Sequence, residues 1–203
     1  MVRNMTSSTH HGRASDLGQT VFGDVGEVAK DDIRVESCAA CEEANAAIGH
    51  ALASGGYDPD VARTLTSLQN DLLDLAADLS VPTSERRDTV PVRIIEDHLA
   101  WVDRAVEHFR AGLPDVDGFV LPGGTLAASL LYQARVAVRR AERIVVRARH
   151  QHAEEINPLT VGYLNSVSTL LFALARRHNL EHGDMTWRPL ASVTPPERAQ
   201  AAG

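Results

Sequence analysis

The sequence has few aromatic residues and almost no cysteine. Phe, Trp and Tyr make up 4% of the 203 residues, whereas hydrophobic residues as a whole make up 44%. The core must therefore consist mainly of Leu, Val, Ile and Ala, which suits close packing of helices. The only cysteines, Cys38 and Cys41, form one C-x-x-C pair, and a structural zinc site needs further ligands. We expect both thiols to be small buried side chains without a disulfide or redox role.

Signals of several other protein classes are also absent. No stretch approaches the roughly 18 apolar residues of a membrane span, and residues 1–30 contain no hydrophobic signal segment. The net charge of −7 repels nucleic-acid backbones and anionic lipid surfaces. The sequence contains neither the G-K-[ST] spacing of a phosphate-binding loop nor the Glu-x-x-His motif of di-iron bundles. We expect a soluble, cytoplasmic protein with no nucleic-acid or membrane partner.

Five segments repeat apolar residues every three or four positions, as amphipathic helices do. The clearest begins at Asp58-Pro59, a cap followed by proline, and Asn157-Pro158 opens the last helix in the same way. Short connections between the segments favour an all-α, antiparallel five-helix bundle in one domain. The predicted helices span residues 35–53, 58–79, 92–111, 125–153 and 157–177. We expect residues 1–31 to form a flexible arm or loop, 32–180 the bundle and 181–203 a C-terminal tail.

The fourth predicted helix has a local excess of positive charge inside an acidic protein. Its arginines at 135, 139, 143 and 147 are four residues apart, so they form a slanted strip along one face, with Arg140 and Arg149 beside it. One interpretation is a solvated basic face paired with acidic neighbours. The other is an anion site, because the guanidinium donors match phosphate oxygens.

The N-terminal arm contains a weaker signal for phosphate binding. Gly18, Gly23 and Gly26 would allow backbone N–H groups to approach a phosphate, and Lys30 adds a positive charge. By itself this pattern is more typical of a disordered tail.

Several motifs, in the same order and at matching spacings, resemble one known family. The matching pieces are K-D-D-I-R-V-E (30–36), E-E-A-N-A (42–46), L-Q-N-D-L (68–72), F-V-L-P-G-G (119–124), R-R-A-E-R (139–143) and Y-L-N (163–165). Together they resemble the PduO-type ATP:corrinoid adenosyltransferases over about residues 12–189. The resemblance implies an enzyme that transfers the 5′-deoxyadenosyl group of ATP to the cobalt of cob(I)alamin and releases triphosphate.

The resemblance also implies an assembly and partners. Members of the family are trimers of five-helix bundles, with ATP and the corrinoid between adjacent subunits, so a homotrimer that uses ATP, Mg²⁺ and cob(I)alamin is expected. A corrinoid reductase and a cobalamin-dependent mutase would be the physiological partners.

The resemblance assigns roles to individual residues. Arg139, Arg135 and Glu42 would be catalytic, with Arg135 and Glu42 paired across the subunit contact. Phe119 would press on the lower face of the corrin, and Trp187 would help to cover it. The ATP-binding residues would be Arg13, Ala14, Ser15, Asp16, Gly18, Thr20, Lys30, Arg139, Arg140, Glu142, Arg143 and Asn165.

The sequence departs from the family at identifiable positions. Ala14, Ser15 and Gln19 replace a threonine, a glycine and a threonine of the family's phosphate loop, and Glu42 replaces an aspartate. The family's R-L-S-D reads S-V-S-T at 166–169. Three hypotheses remain open: an active adenosyltransferase, a relative that binds ATP or corrinoid as a carrier or regulator, and an unrelated helical interaction module.

Overall fold

The computed structural model describes residues 17–83 and 91–193, which form one small hairpin and five helices. The elements in chain order are β1 (Gln19–Phe22), β2 (Gly26–Ala29), α1 (Ile33–Ser54), α2 (Pro59–Leu79), α3 (Glu96–Arg110), α4 (Leu126–Gln151) and α5 (Leu159–His178). The predicted five-helix, all-α architecture is confirmed. None of the helices in these two ranges is long and apolar enough to cross a membrane.

The helices pack through the apolar faces that the sequence predicts. Helix α1 packs on α2 and α4, α4 packs on α5, and α5 packs on α3. Cys38 and Cys41 lie in the core, where burial raises the pKa of both thiols, that of Cys41 to about 12. The cysteines are therefore inert core residues, as predicted. The predicted stripes of α2 and α4 are fully or almost fully buried at Val61, Leu65, Leu68, Leu72, Leu75, Leu79, Leu130, Ala134, Val138, Ala141 and Val145.

Residues 19–29, which the sequence predicts as part of a flexible arm or loop, form an antiparallel hairpin. Gln19 pairs with Ala29, and Phe22 pairs with Gly26. The hairpin is attached to the bundle because Phe22 is buried in the core and Gly23 lies against the backbone of Ser80 at the end of α2. This end of the arm therefore has a fixed position on the bundle.

The third helix begins later than predicted, at Glu96 and not near Val92. The buried carboxylate of Asp78 accepts a hydrogen bond from the backbone N–H of Ile94 at 2.9 Å and pairs with Arg93 at 2.6 Å. These bonds attach residues before the helix to the end of α2, where they cannot join a helical hydrogen-bond ladder. Ile95 is consequently half exposed at the helix start.

Candidate functional site

The structure describes only some of the predicted ATP-binding residues in the N-terminal segment. Arg13, Ala14, Ser15 and Asp16 lie outside the described residues. Of the others, Thr20 lies on β1 opposite Val28, and the N–H of Lys30 donates to the carbonyl oxygen of Gly18 at 2.8 Å. Gly18 has a φ of +84°, a conformation that favours glycine. Gly18 and the exposed Lys30 therefore lie side by side at the open end of the hairpin.

Part of the arginine strip on α4 is paired with acidic residues of α1. Arg140 contacts Glu43 at 2.9 Å, and Arg147 contacts Glu36 at 3.2 Å. Both spacings are seven residues, as expected when α1 and α4 run antiparallel with matched faces. All four side chains are about half exposed, so these pairs contribute little to stability. For Arg140 and Arg147 the structure supports the solvated, paired interpretation.

The remaining arginines of the strip keep their charge unpaired. Among the residues that the structure describes, no carboxylate forms an ion pair with Arg135, Arg139 or Arg143. Within the described residues, the Arg143 guanidinium donates only to the backbone oxygen of Arg139, at 2.9 Å. Arg135 is half buried over the ring of Phe172 at 5.1 Å, and burial and the nearby Arg139 charge lower its pKa. Arginine remains charged despite such a shift, so this half of the strip attracts an anion.

Asn165 and Glu142 lie at the same level of the bundle as the unpaired arginines. Helices α4 and α5 form a hairpin of helices, and Arg135 of α4 faces Phe172 of α5. Because the two helices run in opposite directions, moving seven residues along each helix places Glu142 beside Asn165. The exposed amide of Asn165 and the half-exposed carboxylate of Glu142 therefore flank the region of Arg139 and Arg143.

Two groups of predicted ATP-binding residues occupy different levels of a single chain. Arg140 lies at Glu43 of α1, whereas Lys30 lies just before Asp32, the N-cap of the same helix. Eleven helical positions between Asp32 and Glu43 correspond to about 16 Å along the axis. One copy therefore places the hairpin residues and Arg139 far apart.

The predicted pair of Glu42 and Arg135 is also not formed within one chain. Glu42 is exposed and adjoins Glu43, which lies at the level of Arg140. Arg135 is five residues away along α4, or about 7 Å along the axis. An ion pair between these side chains would require a second copy of the chain, and it stays a prediction.

The two predicted corrinoid-binding residues lie side by side. The rings of Phe119 and Trp187 are 6.1 Å apart in an edge-to-face arrangement, and they are 75% and 54% exposed. The N–H of Trp187 donates to the oxygen of Phe119 at 2.7 Å, and Val120 forms an antiparallel bridge with Thr186. The sequence did not indicate this pairing, because segments this short have no detectable alternation.

A layer of side chains that the sequence did not indicate lies between α4 and α5 beside Arg135. The ring of Phe172 lies 6.1 Å from that of Tyr132 and under the guanidinium of Arg135. Three buried atoms in this region, Tyr132 Oη, Arg135 Nε and Asp184 Oδ1, have no hydrogen-bond partner within the described residues. Burial and the Asp184 charge raise the pKa of Tyr132 to about 12. Unsatisfied polar groups of this kind are expected where a ligand, water or partner chain completes a site.

One group of possible metal ligands lies elsewhere, between α2 and α3. Ligand atoms of Asp71, Asp74 and His98 lie within 4.8 Å of one another. Asp71 already accepts a hydrogen bond from Tyr163 at 2.7 Å, and His98 Nδ1 accepts one from the N–H of Ile95 at 3.2 Å. The metal assignment, left open by the sequence, gains no support from this group.

The positions that depart from the family's R-L-S-D are satisfied locally. Ser166 donates to Asp103 at 2.9 Å, and Thr169 donates to the backbone oxygen of Asn165 at 3.2 Å. Neither substitution leaves an unpaired charge near Asn165.

The chain is similar to known proteins over most of its length. The family model for cobalamin adenosyltransferase matches residues 11–178. A corrinoid adenosyltransferase of Mycobacterium tuberculosis is 44% identical over 177 residues, covering 87% of this chain and 91% of the relative. One from Bacillus subtilis is 38% identical over 175 residues, covering 84% and 86% of the two chains.

Solved structures show the same architecture. A variant of the PduO-type ATP:corrinoid adenosyltransferase from Lactobacillus reuteri, complexed with cobalamin and ATP, superposes with a TM-score of 0.79 at 30% identity and covers 88% of this chain and 98% of its own. A second variant, complexed with ATP, gives a TM-score of 0.76 at 29% identity, covering 88% and 99%. The chain therefore belongs to the cobalamin adenosyltransferase family.

Proposed function

We propose that this protein transfers the 5′-deoxyadenosyl group of ATP to the cobalt of a reduced corrinoid. The observation that carries the proposal is the unpaired charge of Arg135, Arg139 and Arg143 on one face of an acidic chain, with Arg135 half buried. Arg147 of the strip and the neighbouring Arg140 have carboxylate partners, so the unpaired charge of the strip itself lies at Arg135, Arg139 and Arg143. A polyanion such as triphosphate would compensate it, and the relatives named above are corrinoid adenosyltransferases.

The proposed reaction needs placement more than acid–base chemistry. Cobalt(I) of the substrate supplies the electron pair for a new bond to C5′, and the bond between C5′ and its oxygen breaks as triphosphate leaves. Arg139 and Arg143 would stabilise the charge that develops on the leaving oxygen, and this interaction is stronger in the transition state than in the ground state. Asn165 would orient the nucleoside, and Phe119 with Trp187 would hold the corrin.

The separation of the two ATP-binding groups within one chain supports a site shared between copies. Lys30 and the hairpin would come from one subunit, and Arg139, Glu142 and Asn165 from its neighbour. The homotrimer that the family resemblance implies provides such contacts. In this proposal the hairpin and the residues before it form the nucleotide-binding arm (1–31), residues 32–180 the catalytic bundle, and residues 181–203 a tail whose Trp187 covers the corrin.

Magnesium would enter this site mainly through the phosphates of ATP, as is common for this ion. The half-exposed Glu142 is three residues from Arg139 and forms no ion pair within the described part of the chain, so its carboxylate fits as a protein ligand. Bound Mg²⁺ would neutralise triphosphate charge. A corrinoid reductase as electron donor, a mutase as recipient and a cytoplasmic location complete the proposal.

The test combines Arg139→Ala with a control on another helix. We expect anaerobic incubation of the wild-type chain with ATP and cob(I)alamin to yield the visible spectrum of adenosylcobalamin. Removing the Arg139 guanidinium should lower kcat/KM by about 100-fold or more, the usual effect of losing one donor to a developing oxyanion. Arg110→Ala, an exposed change in the last turn of α3, should leave the rate unchanged.

The same experiment separates the proposed enzyme from the alternative of a binding protein. A wild-type chain that binds ATP and corrinoid but forms no adenosyl product would favour a carrier or regulator. Equal rates for Arg139→Ala and the wild type would exclude Arg139 from the triphosphate site.

A further inference from the structure

Phe119 and Trp187 belong to a short two-stranded ribbon with one apolar face, which we call the aromatic ribbon (residues 119–121 and 185–187). Beside the bond from Trp187 to Phe119, the N–H of Leu121 donates to the oxygen of Met185 at 2.7 Å. Because side chains alternate along a strand, Phe119 and Leu121 share a face, as do Met185 and Trp187. All four side chains are exposed, forming a contiguous apolar surface.

The aromatic ribbon cannot fix its own position. Two backbone hydrogen bonds, which flank the paired Val120 and Thr186, join its strands. An isolated two-stranded hairpin is at best marginally stable in water, and this one has no turn that connects its strands directly. Contacts with the helix bundle must therefore orient its apolar face.

Arg176, in the last turn of α5, contacts the two segments that lead into the strands of the ribbon. Its Nε donates to Asp184 Oδ2 at 2.7 Å, directly before the second strand, and its Nη2 donates to the oxygen of Pro114 at 2.6 Å, in the connection that leads to the first. The Arg176 and Asp184 side chains are each only 11% exposed. One planar guanidinium therefore links α5 to both strands, and a buried charge pair strongly resists loss of either partner.

Asn179, just after α5, holds the far end of the first strand. Its amide nitrogen donates to the oxygen of Gly123 at 2.9 Å, and its Oδ1 accepts from the N–H of Thr125 at 3.1 Å. The backbone at Gly124 approaches Asn179 so closely that a Cβ there would collide with it, and the φ of Gly124 is +94°. The segment from Pro114 to Thr125 is thus attached to the end of α5 on both sides of Phe119.

We infer that Arg176 is a positioning residue that sets the place of the corrin-binding face relative to the arginine strip. This inference rests on the proposed function. The guanidinium of Arg176 lies 6.0 Å from the Phe172 ring, and that of Arg135 lies 5.1 Å from it, so one side chain connects the ribbon anchor to the strip. Transfer requires cobalt and C5′ to meet in line, and small displacements between bound reactants are costly. Arg176 touches neither substrate in this scheme and acts through the ribbon.

The test compares Arg176→Lys with Arg177→Lys, the same substitution one residue further along α5. A single ammonium group cannot reproduce the two-way contact of the guanidinium with Asp184 and Pro114. We expect Arg176→Lys to raise the KM for cob(I)alamin by about tenfold while the KM for ATP stays within about twofold of wild type. Arg177→Lys should change neither. Asp184→Asn, which keeps the side-chain shape but removes the charge, should act like Arg176→Lys.

Fluorescence gives a readout that does not depend on catalysis. The chain has two tryptophans, so in a Trp101→Phe background emission comes from Trp187 alone. Adding Arg176→Lys should increase quenching of Trp187 by iodide, because a released ribbon exposes the indole, and should weaken its quenching by added hydroxocobalamin. Arg177→Lys in the same background should leave both titrations unchanged.

The outcomes distinguish the inference from the proposed function. If the wild-type chain forms no adenosylated product and binds no hydroxocobalamin, the proposed function fails and the inference falls with it. If wild type does both, but Arg176→Lys raises the two KM values equally, or changes neither KM nor Trp187 quenching, only the positioning role of Arg176 is overturned. If Arg176→Lys does not fold, Asp184→Asn decides by the same criteria.

Discussion

The surroundings of Arg135 compensate its positive charge only in part. Its guanidinium is half buried, its Nε has no partner within the described residues, and Arg139 repels it. The ring of Phe172 compensates only in part, because an interaction between a cation and an aromatic face is worth about 1–2 kcal/mol. A carboxylate or phosphate brought next to Arg135 would therefore relieve an existing cost. Within the described part of a single chain, the positive charge of Arg135 therefore has no negatively charged partner.

The buried thiols allow a prediction about pH. Burial raises the pKa of Cys38 and Cys41 in the folded chain, whereas unfolded cysteine ionises near pH 8.5. The stabilising contribution is complete below that pH and is lost as the pH rises towards the folded value of about 12 for Cys41. Between pH 7.5 and 9.5, each thiol should lower the free energy of unfolding by about 1.4 kcal/mol.

Denaturant unfolding of wild type and Cys41→Ala at both pH values measures this effect. The variant should lose about half of the wild-type pH dependence, whatever its stability at pH 7.5. Equal pH dependence in the two proteins would show that the Cys41 thiol ionises as easily in the folded chain as in the unfolded one.

At the element scale, the docking of the hairpin depends on Gly23. This residue has a φ of +48°, and a Cβ there would overlap the backbone oxygen of Ser80. Gly23→Ala should displace the hairpin and with it Gly18, Thr20 and Lys30, so we expect the KM for ATP to rise severalfold. The KM for the corrinoid should change less.

Gly55→Ala is the matched control, because Gly55 lies outside the nucleotide-binding arm and also has a positive φ, of +72°, but nothing lies within 4 Å of its added Cβ. Both variants therefore acquire backbone strain, and only Gly23→Ala acquires a collision. Steady-state kinetics that showed the same KM for ATP in both variants would argue against a role of hairpin docking in nucleotide binding.

The elements also show what the sequence could and could not predict. Helix α2 was predictable because six apolar residues recur along its length at helical spacing and so define one face of the helix. Each strand of the hairpin has four residues, too few for alternation to be distinguished from chance. The start of α3 depends on Asp78, a residue of another helix, and no local pattern reveals such a bond. Contacts between elements that are distant in the sequence therefore explain both the hairpin and the late start of α3.

The candidate site divides in the same way. The spacing of Arg135, Arg139 and Arg143 predicts their shared face, because helix geometry alone fixes it. The packing of α4 against Glu36 and Glu43 of α1 determines which arginines pair with carboxylates. The difference between paired and unpaired arginines therefore appears only in the structure. Arg176 was missed because its partners, Asp184 and the oxygen of Pro114, lie in irregular segments with no periodic signal.

At the scale of the whole molecule, the proposed site requires more than one copy of the chain. Glu42 is exposed and lies about 7 Å along the bundle from the level of Arg135, so the proposed ion pair between them would form across a subunit contact. Half-buried ion pairs between subunits are sensitive to like charges, which cost several kcal/mol when they are brought together. The assembly should therefore respond to the sign of the charges at these two positions.

We expect Glu42→Arg and Arg135→Glu each to shift the protein from trimer towards monomer in sedimentation velocity at micromolar concentration. Combining the two substitutions reverses the pair and should restore much of the trimer, although the contact of Arg135 with Phe172 is still lost. The monomer fractions of all three variants should show no ATP turnover, because Lys30 and Arg139 would meet only between subunits. Trimers that persist in both single variants would place Glu42 and Arg135 outside the subunit contact, and an active monomer would disprove the shared site.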